Sequence, residues 1–435
     1  MHILDSLRSG ALHGATRVDL VGCGLRALPP EIFQLADSLE ILDLSRNQLS
    51  QLPAELPRLQ RLRVLFASEN AFTELPAVLG QCPQLEMVGF KSNRIVHVPE
   101  EALPERLRWL ILTDNALTQL PHSLGLRPRL QKLALAGNRL RQLPESLAGS
   151  PALELLRIAA NALDALPGWL AELPRLSWLA HGGNPGSQAA EQAALRTPLP
   201  ELPWPALRLQ ALLGQGASGH IHRVRHGEAE LALKVFKGEV TSDGWPLTEQ
   251  ATWLQAGRHA ALIPVQGRLS QHPQGAQGLA MPLVAAQFRP LAAPPSLASC
   301  SRDVYDPALR LAPAAALRLA RDMSAALAHL NQRGLMHGDF YAHNILHDGQ
   351  GQALLGDFGA ASFLPEVPAQ ALALQRVEVR ALGCLLEELA VLLPDDGGDG
   401  GSQRRLAGLA RACMDERPGA RPLLAEVLDQ LAQPD

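Results

Sequence analysis

The sequence predicts a multidomain chain: an N-terminal α/β solenoid with a curved parallel sheet, then a separate domain of mixed strands and helices. Three observations predict this. A leucine-bearing unit of about 23 residues recurs along the first 184 positions, a proline-rich junction ends it, and beyond the junction glycine-rich and acidic motifs punctuate apolar runs. At 435 residues, 47% hydrophobic and 19% charged, the chain is long enough for two domains with real cores.

The unit Leu39-Glu40-Ile41-Leu42-Asp43-Leu44-Ser45-Arg46-Asn47 recurs at 62–70, 85–93, 107–115, 130–138 and 153–161, and fades over 176–184. Cys23 holds the Asn position of the first unit, and the steps from it are 24, 23, 23, 22, 23, 23 and 23 residues. Most units add a Leu-Pro, as in Leu52-Pro53, Leu75-Pro76 and Leu143-Pro144. Alternation along a short strand turns Leu42 and Leu44 inward, while the Asn side chain bonds backbone in the turn that follows. One unit cannot bury its leucines alone, so neighbours must stack. Residues 15–184 thus resemble a leucine-rich-repeat domain, with the domain as a whole placed at 1–186.

The same alternation gives the outward residues. Ile41, Val64, Met87, Trp109, Lys132, Leu155 and Trp178 precede the second leucine of each strand, and Phe66 and Ile111 lie two residues further along theirs. These side chains either cover one another or form a partner-binding stripe on the concave face. The use solenoids make of that face favours a protein substrate or regulator there.

Ser187–Arg196 has the character of a short capping helix, and Thr197–Pro205 is too rich in proline for a helix or a central strand. Residues 187–206 are therefore read as a cap and a stiff linker. The net charge of −4 gives no basic field for nucleic acid, and no run of about 18 apolar residues suits a membrane. Charges near the N-terminus interrupt any leader-like apolar run, and the five scattered cysteines suggest reduced thiols, so a cytoplasmic protein is expected. The loop from Pro394 to Gly401 lacks the alternating ligands of a calcium site and reads as a surface loop.

Beyond the linker, Gly214-Gln215-Gly216-Ala217-Ser218-Gly219 lies between two strand-like runs, and Lys234 sits within a third, Glu230–Phe236. That order differs from a P-loop, which needs Gly-Lys-Ser/Thr and an immediate helix. Ala314–Asn331 has one apolar face and leads into His337-Gly338-Asp339-Phe340-Tyr341-Ala342-His343-Asn344; Asp357-Phe358-Gly359 follows. A carboxylate toward the acceptor and two oxygen ligands for Mg²⁺ are what phosphoryl transfer requires, and Asp339, Asn344 and Asp357 supply them in order.

With these motifs quoted, residues 207–435 resemble a protein kinase catalytic domain. The resemblance implies an α+β bilobal fold, with an N-lobe over about 207–283 and a C-lobe over about 284–435. It implies that ATP lies under Gly214, Gln215, Gly216 and Gly219, with Ile221 and Ala232 against the adenine, Met281 behind it and the backbone near Leu283 at its edge. Lys234 would bind the α- and β-phosphates and pair with Glu249, the best-placed glutamate of the next helix. Asp339 would orient the acceptor hydroxyl, and Asn344 and Asp357 would hold Mg²⁺.

Departures from the family pattern are informative. Gly338 replaces the usual arginine, Ser362 is the only hydroxyl residue between Asp357 and Glu378, and Tyr341 and His343 stand where a lysine or arginine supports the γ-phosphate. Pro365-Glu366 is a possible remnant of a closing motif, with Arg421 as its partner, and Glu378 stands where the central helix usually carries Asp. The leading expectation is a protein kinase directed at serine or threonine. A pseudokinase scaffold working through the repeats, and a small-molecule phosphotransferase, remain as alternatives.

Overall fold

The computed structural model describes residues 3–216, 218–238, 240–394 and 400–433, so most of the loop between Pro394 and Gly401 lies outside the described residues. The chain forms two compact units. One comprises residues up to Arg157 with Asn161–Leu173; the other comprises Ile158–Ala160 with Pro174 onward. The last repeat therefore belongs to the second unit.

In the first unit, helix α1 (Ile3–Arg8) precedes seven three-residue strands: β1 (Arg17–Asp19), β2 (Ile41–Asp43), β3 (Val64–Phe66), β4 (Met87–Gly89), β5 (Trp109–Ile111), β6 (Lys132–Ala134) and β7 (Leu155–Arg157). They pair in parallel in chain order. The central residue of each, from Val18 to Leu156, is buried, as the alternation requires. The Leu-Pro pairs explain the return segments: Pro76, Pro121 and Pro144 sit in extended backbone immediately before 3-10 turns whose leucines complete the core.

The repeated asparagine closes each turn. Asn138 Nδ2 donates to Leu112 O and Leu135 O, both at 2.9 Å, and its Oδ1 accepts from Leu117 N–H at 3.0 Å. The residue before the asparagine is left-handed in unit after unit, at Arg46, Glu69, Ser92 and Asp114. Stacking of neighbouring units holds non-glycine residues in that costly conformation.

The stripe of outward residues is more covered than the alternation suggested. Val64, Met87, Leu155 and Trp178 are buried, and Ile41, Phe66, Trp109 and Ile111 are half-buried. Phe66 meets Trp109 edge-on at 6.3 Å, and the Lys132 ammonium lies 4.3 Å from the Trp109 ring centroid.

The second unit opens with strand β8 (Trp178–Ala180), bonded to the 158–160 segment through Ile158 N–H to Ala180 O at 2.8 Å. Helix α2 (Gln188–Leu195) follows. The proline-rich linker is not free: β9 (Glu201–Pro203) pairs in parallel with β13 (Gly267–Ser270). It forms the outer edge of a six-stranded sheet ordered β10-β11-β12-β14-β13-β9, where β10 is Leu207–Gln215, β11 Gly219–His226, β12 Ala229–Phe236 and β14 Gly278–Pro282. An edge tolerates Pro203, which has no N–H to give a further neighbour. Helix α3 (Pro246–Ala256) accompanies this sheet.

The rest is mainly helical. The short β15 (Arg289–Pro290) precedes the long α4 (Pro313–Gln332), whose Leu317, Leu319, Met323, Leu327 and Leu330 are all buried as its apolar face predicted. Then come β16 (Leu335–Met336), β17 (Ile345–His347), β18 (Ala353–Leu355), β19 (Ser362–Phe363), and helices α5 (Pro368–Val391), α6 (Gly401–Cys413) and α7 (Leu424–Ala432). Among the described residues no helix is long and apolar enough to cross a membrane.

Candidate active site

The glycine-rich segment is the turn of the antiparallel β10–β11 hairpin, closed by Gly216 N–H donating to Gly219 O at 3.0 Å. Glycine is required at 219, because a Cβ there would lie 2.4 Å from the Val235 carbonyl oxygen of β12. At Gly214 and Gly216 a Cβ would meet nothing within 4 Å, so those positions face open space. Beneath the hairpin is a cavity of about 610 Å³ with Ile221, Ala232, Met281 and Leu283 as apolar wall and Lys234 and Asp357 as charged groups. Gly216 and Gly219 border it, whereas Gly214 and Gln215 belong to the hairpin but not to the cavity wall.

Lys234 and Glu249 form a buried ion pair between β12 and α3. The Glu249 side chain is 1% exposed and that of Lys234 9%. Burial disfavours the ammonium, but Glu249, Asp357 and Asp243 together outweigh it and hold the Lys234 pKa above its usual range. The cation that faces the cavity is thus permanent at neutral pH.

The loop after β16 carries Asp339 and Asn344, and the turn after β18 carries Asp357, which lines the cavity. Asn344 Nδ2 donates both to Asp339 O and to Asp339 Oδ2, each at 2.9 Å, which orients the carboxylate. With its nitrogen committed, Asn344 can meet a cation only through Oδ1. Asp357 holds φ at 51° and accepts from Gly359 N–H at 3.1 Å. Phe358 is fully buried, 4.3 Å from Trp253 of α3 and 5.3 Å from His337 by ring centroids, and so bridges helix and loop. His337 is itself fixed through Nε2 to Gly356 O at 3.0 Å.

Glu378 of α5 supports the loop from below. Its Oε1 accepts from His337 N–H at 2.5 Å and Gly338 N–H at 3.2 Å, and its Oε2 from Asn331 Nδ2 at 3.1 Å. Burial pushes its pKa up to about 7, against the pull of those three donors.

Residues 13–72 match the leucine-rich-repeat family, and residues 207–373 match the family of protein tyrosine and serine/threonine kinases. The chain joins a leucine-rich-repeat domain to a protein kinase domain. A solved leucine-rich-repeat protein of Leptospira interrogans is 26% identical over 42% of this chain, with a TM-score of 0.36; the chain spans about half, 52%, of that protein. No curated protein matches the chain.

The kinase domain brings Lys234 and Asp357 together at the cavity, with Glu249 buried against Lys234, and pairs Asp339 with Asn344 in the loop. The oxygen donors suit Mg²⁺, which takes carboxylate and carbonyl oxygens and completes its shell with phosphate and water. Among the described residues no cluster of three His, Cys, Asp or Glu could hold a metal. Asn344 Oδ1 and the Asp357 carboxylate fit a cation whose remaining positions phosphate and water would fill.

The departures also have physical partners in the kinase domain. His343 is held by Asp303, Nδ1 to Oδ1 at 2.8 Å and N–H to Oδ2 at 2.9 Å, and Asp303 had no signal in the sequence. Lys237 Nζ donates to Gly216 O at 2.9 Å and ties down the hairpin turn. Its signal was scarcity: the chain has only four lysines, at 91, 132, 234 and 237, among 39 basic residues. Arg421 does not pair with Glu366, which is exposed; its guanidinium bonds the carbonyls of Asp415, Arg376 and Pro174. Trp178 is not open to a partner, since its ring lies against Tyr341 of the catalytic loop.

Proposed function

We propose that the chain is an ATP- and Mg²⁺-dependent protein kinase that phosphorylates serine or threonine hydroxyls of a protein brought to it by the repeats. The observation that carries this reading is the buried Lys234–Glu249 pair at the wall of a nucleotide-sized cavity that also presents Asp357. Burying two charges costs several kcal/mol per ion, so a fold keeps such a pair where the charge has work in a cleft.

In this reading Lys234, positioned by Glu249, neutralises the α- and β-phosphates, and the apolar wall of Ile221, Ala232, Met281 and Leu283 receives the base. Asp339, oriented by Asn344, accepts the hydrogen bond of the acceptor hydroxyl and aims its oxygen. Asn344 Oδ1 and Asp357 would hold Mg²⁺, which would supply charge neutralisation to the phosphates. The repeat residues left half-buried, Ile41, Phe66, Trp109 and Ile111, are the part of the concave face proposed to meet the protein partner.

A second reading, a nucleotide-binding scaffold, is favoured by one observation: neither position that should carry the γ-phosphate cation holds a permanent one. Tyr341 is stacked on Trp178 and His343 is tied to Asp303. Incubation with γ-labelled ATP, Mg²⁺ and a mixed serine, threonine and tyrosine peptide acceptor, beside Asp339→Asn, separates the two. Label on serine or threonine that is lost in the variant supports the kinase. Nucleotide binding without transfer in either protein rejects it, and label on tyrosine alone rejects the serine/threonine assignment.

A further inference from the structure

We infer that the last repeat is a positioning element of the kinase site: Trp178–Gly183, with Glu191 behind it, holds the catalytic loop and helix α3 in place without any phosphorylated residue. The inference rests on the kinase reading of the site and adds what assembles it.

Four contacts within the second unit carry it. Trp178 is 1% exposed; its indole stacks on Tyr341 with centroids 4.2 Å apart and planes 8° from parallel, and Nε1–H donates to Phe340 O at 3.0 Å. Both neighbours of Asp339 on its C-terminal side are thereby fixed. Gly338, on the other side, has φ 71°, and a Cβ there would lie 2.5 Å from Leu179 O of β8 and 2.6 Å from Ala360 O. The repeat backbone fills the space that any side chain at 338 would need.

Ser362 closes the third contact. Its hydroxyl is buried, accepts from His181 N–H and Gly182 N–H at 3.0 Å each, and donates to Ala360 O at 3.1 Å. This is the only hydroxyl residue between Asp357 and Glu378, and its oxygen is already in use on the repeat. Adding a phosphate would remove the O–H that bonds Ala360 O and place a dianion in a buried site. The fourth contact reaches α3: Glu191 accepts from Gly183 N–H and Ser187 Oγ–H at 2.7 Å each, and its Oε2 accepts from Thr248 Oγ1–H at 3.0 Å. Thr248 immediately precedes Glu249, the partner of Lys234.

One strand and one turn of the repeat, with Glu191 of helix α2, therefore touch the loop that holds Asp339, the segment after Asp357 and the helix that holds Glu249. In kinases switched by loop phosphorylation, new charge-assisted bonds order that segment. Here backbone N–H groups and an indole of the repeat, with the carboxylate of Glu191 on helix α2 behind it, supply the bonds from the start.

The test uses the full chain with three conservative variants, Trp178→Phe, Ser362→Ala and Thr248→Val. Steady-state transfer from ATP·Mg²⁺ to a peptide acceptor is read beside hydrogen exchange over residues 337–344. Loss of one such hydrogen bond should lower kcat about three- to tenfold, leave KM for ATP within about twofold, and speed exchange in that loop. Unchanged kcat together with unchanged loop exchange would overturn the positioning role. If the unmodified chain transfers no phosphate, the kinase reading fails by itself. Exchange still decides the positioning claim: faster loop exchange in the variants sustains it and unaltered exchange removes it.

Discussion

The indole of Trp178 and the phenol ring of Tyr341 lie parallel, 4.2 Å apart, with the Trp178 Nε1–H bonded to the carbonyl oxygen of Phe340. A residue that alternation along the repeat placed on an open face is thus the cover of the loop that carries Asp339. The position two residues after Asp339 holds an aromatic stack instead of a cation, which in the proposed function leaves the phosphate charge to Lys234, Asn344 and Asp357.

Restoring the family's arginine should disable the loop instead of activating it. Gly338→Arg must force an L-residue to φ 71° and push a Cβ toward two carbonyl oxygens. We expect a loss of about 2 kcal/mol or more in the second unit's unfolding free energy, with transfer falling in parallel. Chemical denaturation checks it, and a stable, more active variant would contradict the close approach.

The Lys234–Glu249 pair predicts an asymmetry between single and double substitution. Lys234→Met or Glu249→Leu alone leaves one buried charge unpaired and should cost about 3–5 kcal/mol. The double variant should regain most of that stability while still failing to transfer phosphate. Denaturation midpoints and labelled-ATP transfer on all three proteins measure both halves.

Glu378 predicts a pH dependence of known sign. Its carboxyl has an ordinary pKa of 4.5 and is raised to about 7 in the fold by burial. Between those values the folded protein keeps a proton that the unfolded chain has released. Its contribution to stability is therefore complete below about pH 4.5 and declines as pH rises to about 7, by about 3 kcal/mol. Glu378→Gln should flatten that part of the stability–pH curve, and an equal slope in both proteins would refute the assignment.

Much of the fold was legible because its signals are local. The Asn spacing, the Leu-Pro pairs and the alternating leucines each report one turn or one strand, and Asn138 bonds as the repeat implies. Lys234, Asp339, Asn344 and Asp357 stood out as candidates because phosphoryl transfer allows few substitutes, and the fold puts Lys234 and Asp357 on one cavity and Asp339 against Asn344. What the sequence did not disclose depends on partners far along the chain. The linker residues Glu201–Pro203 become a strand only through β13, and the role of Ser362 exists only through the N–H groups of His181 and Gly182. Alternation showed that Trp178 leaves the solenoid core but not that Tyr341 covers it. Arg421 was misread for the same reason, since its carbonyl partners lie in three separate segments.

The repeat asparagines predict a local cost. Asn138→Ala strands two carbonyls and one N–H in a buried turn and should destabilise the first unit by about 2 kcal/mol or more. Substitution of Cys23, which occupies the same position in the first unit but is only half-buried, should cost less. Thermal unfolding of the two variants, side by side, gives the comparison.

The most direct measurement is single-turnover transfer from γ-labelled ATP and Mg²⁺ by full-length protein that mass spectrometry shows to be free of phosphate. The account predicts transfer to a peptide hydroxyl without a lag, abolished by EDTA and by Asp339→Asn. Phosphate-free protein that stays inert until Ser362 is phosphorylated would contradict it.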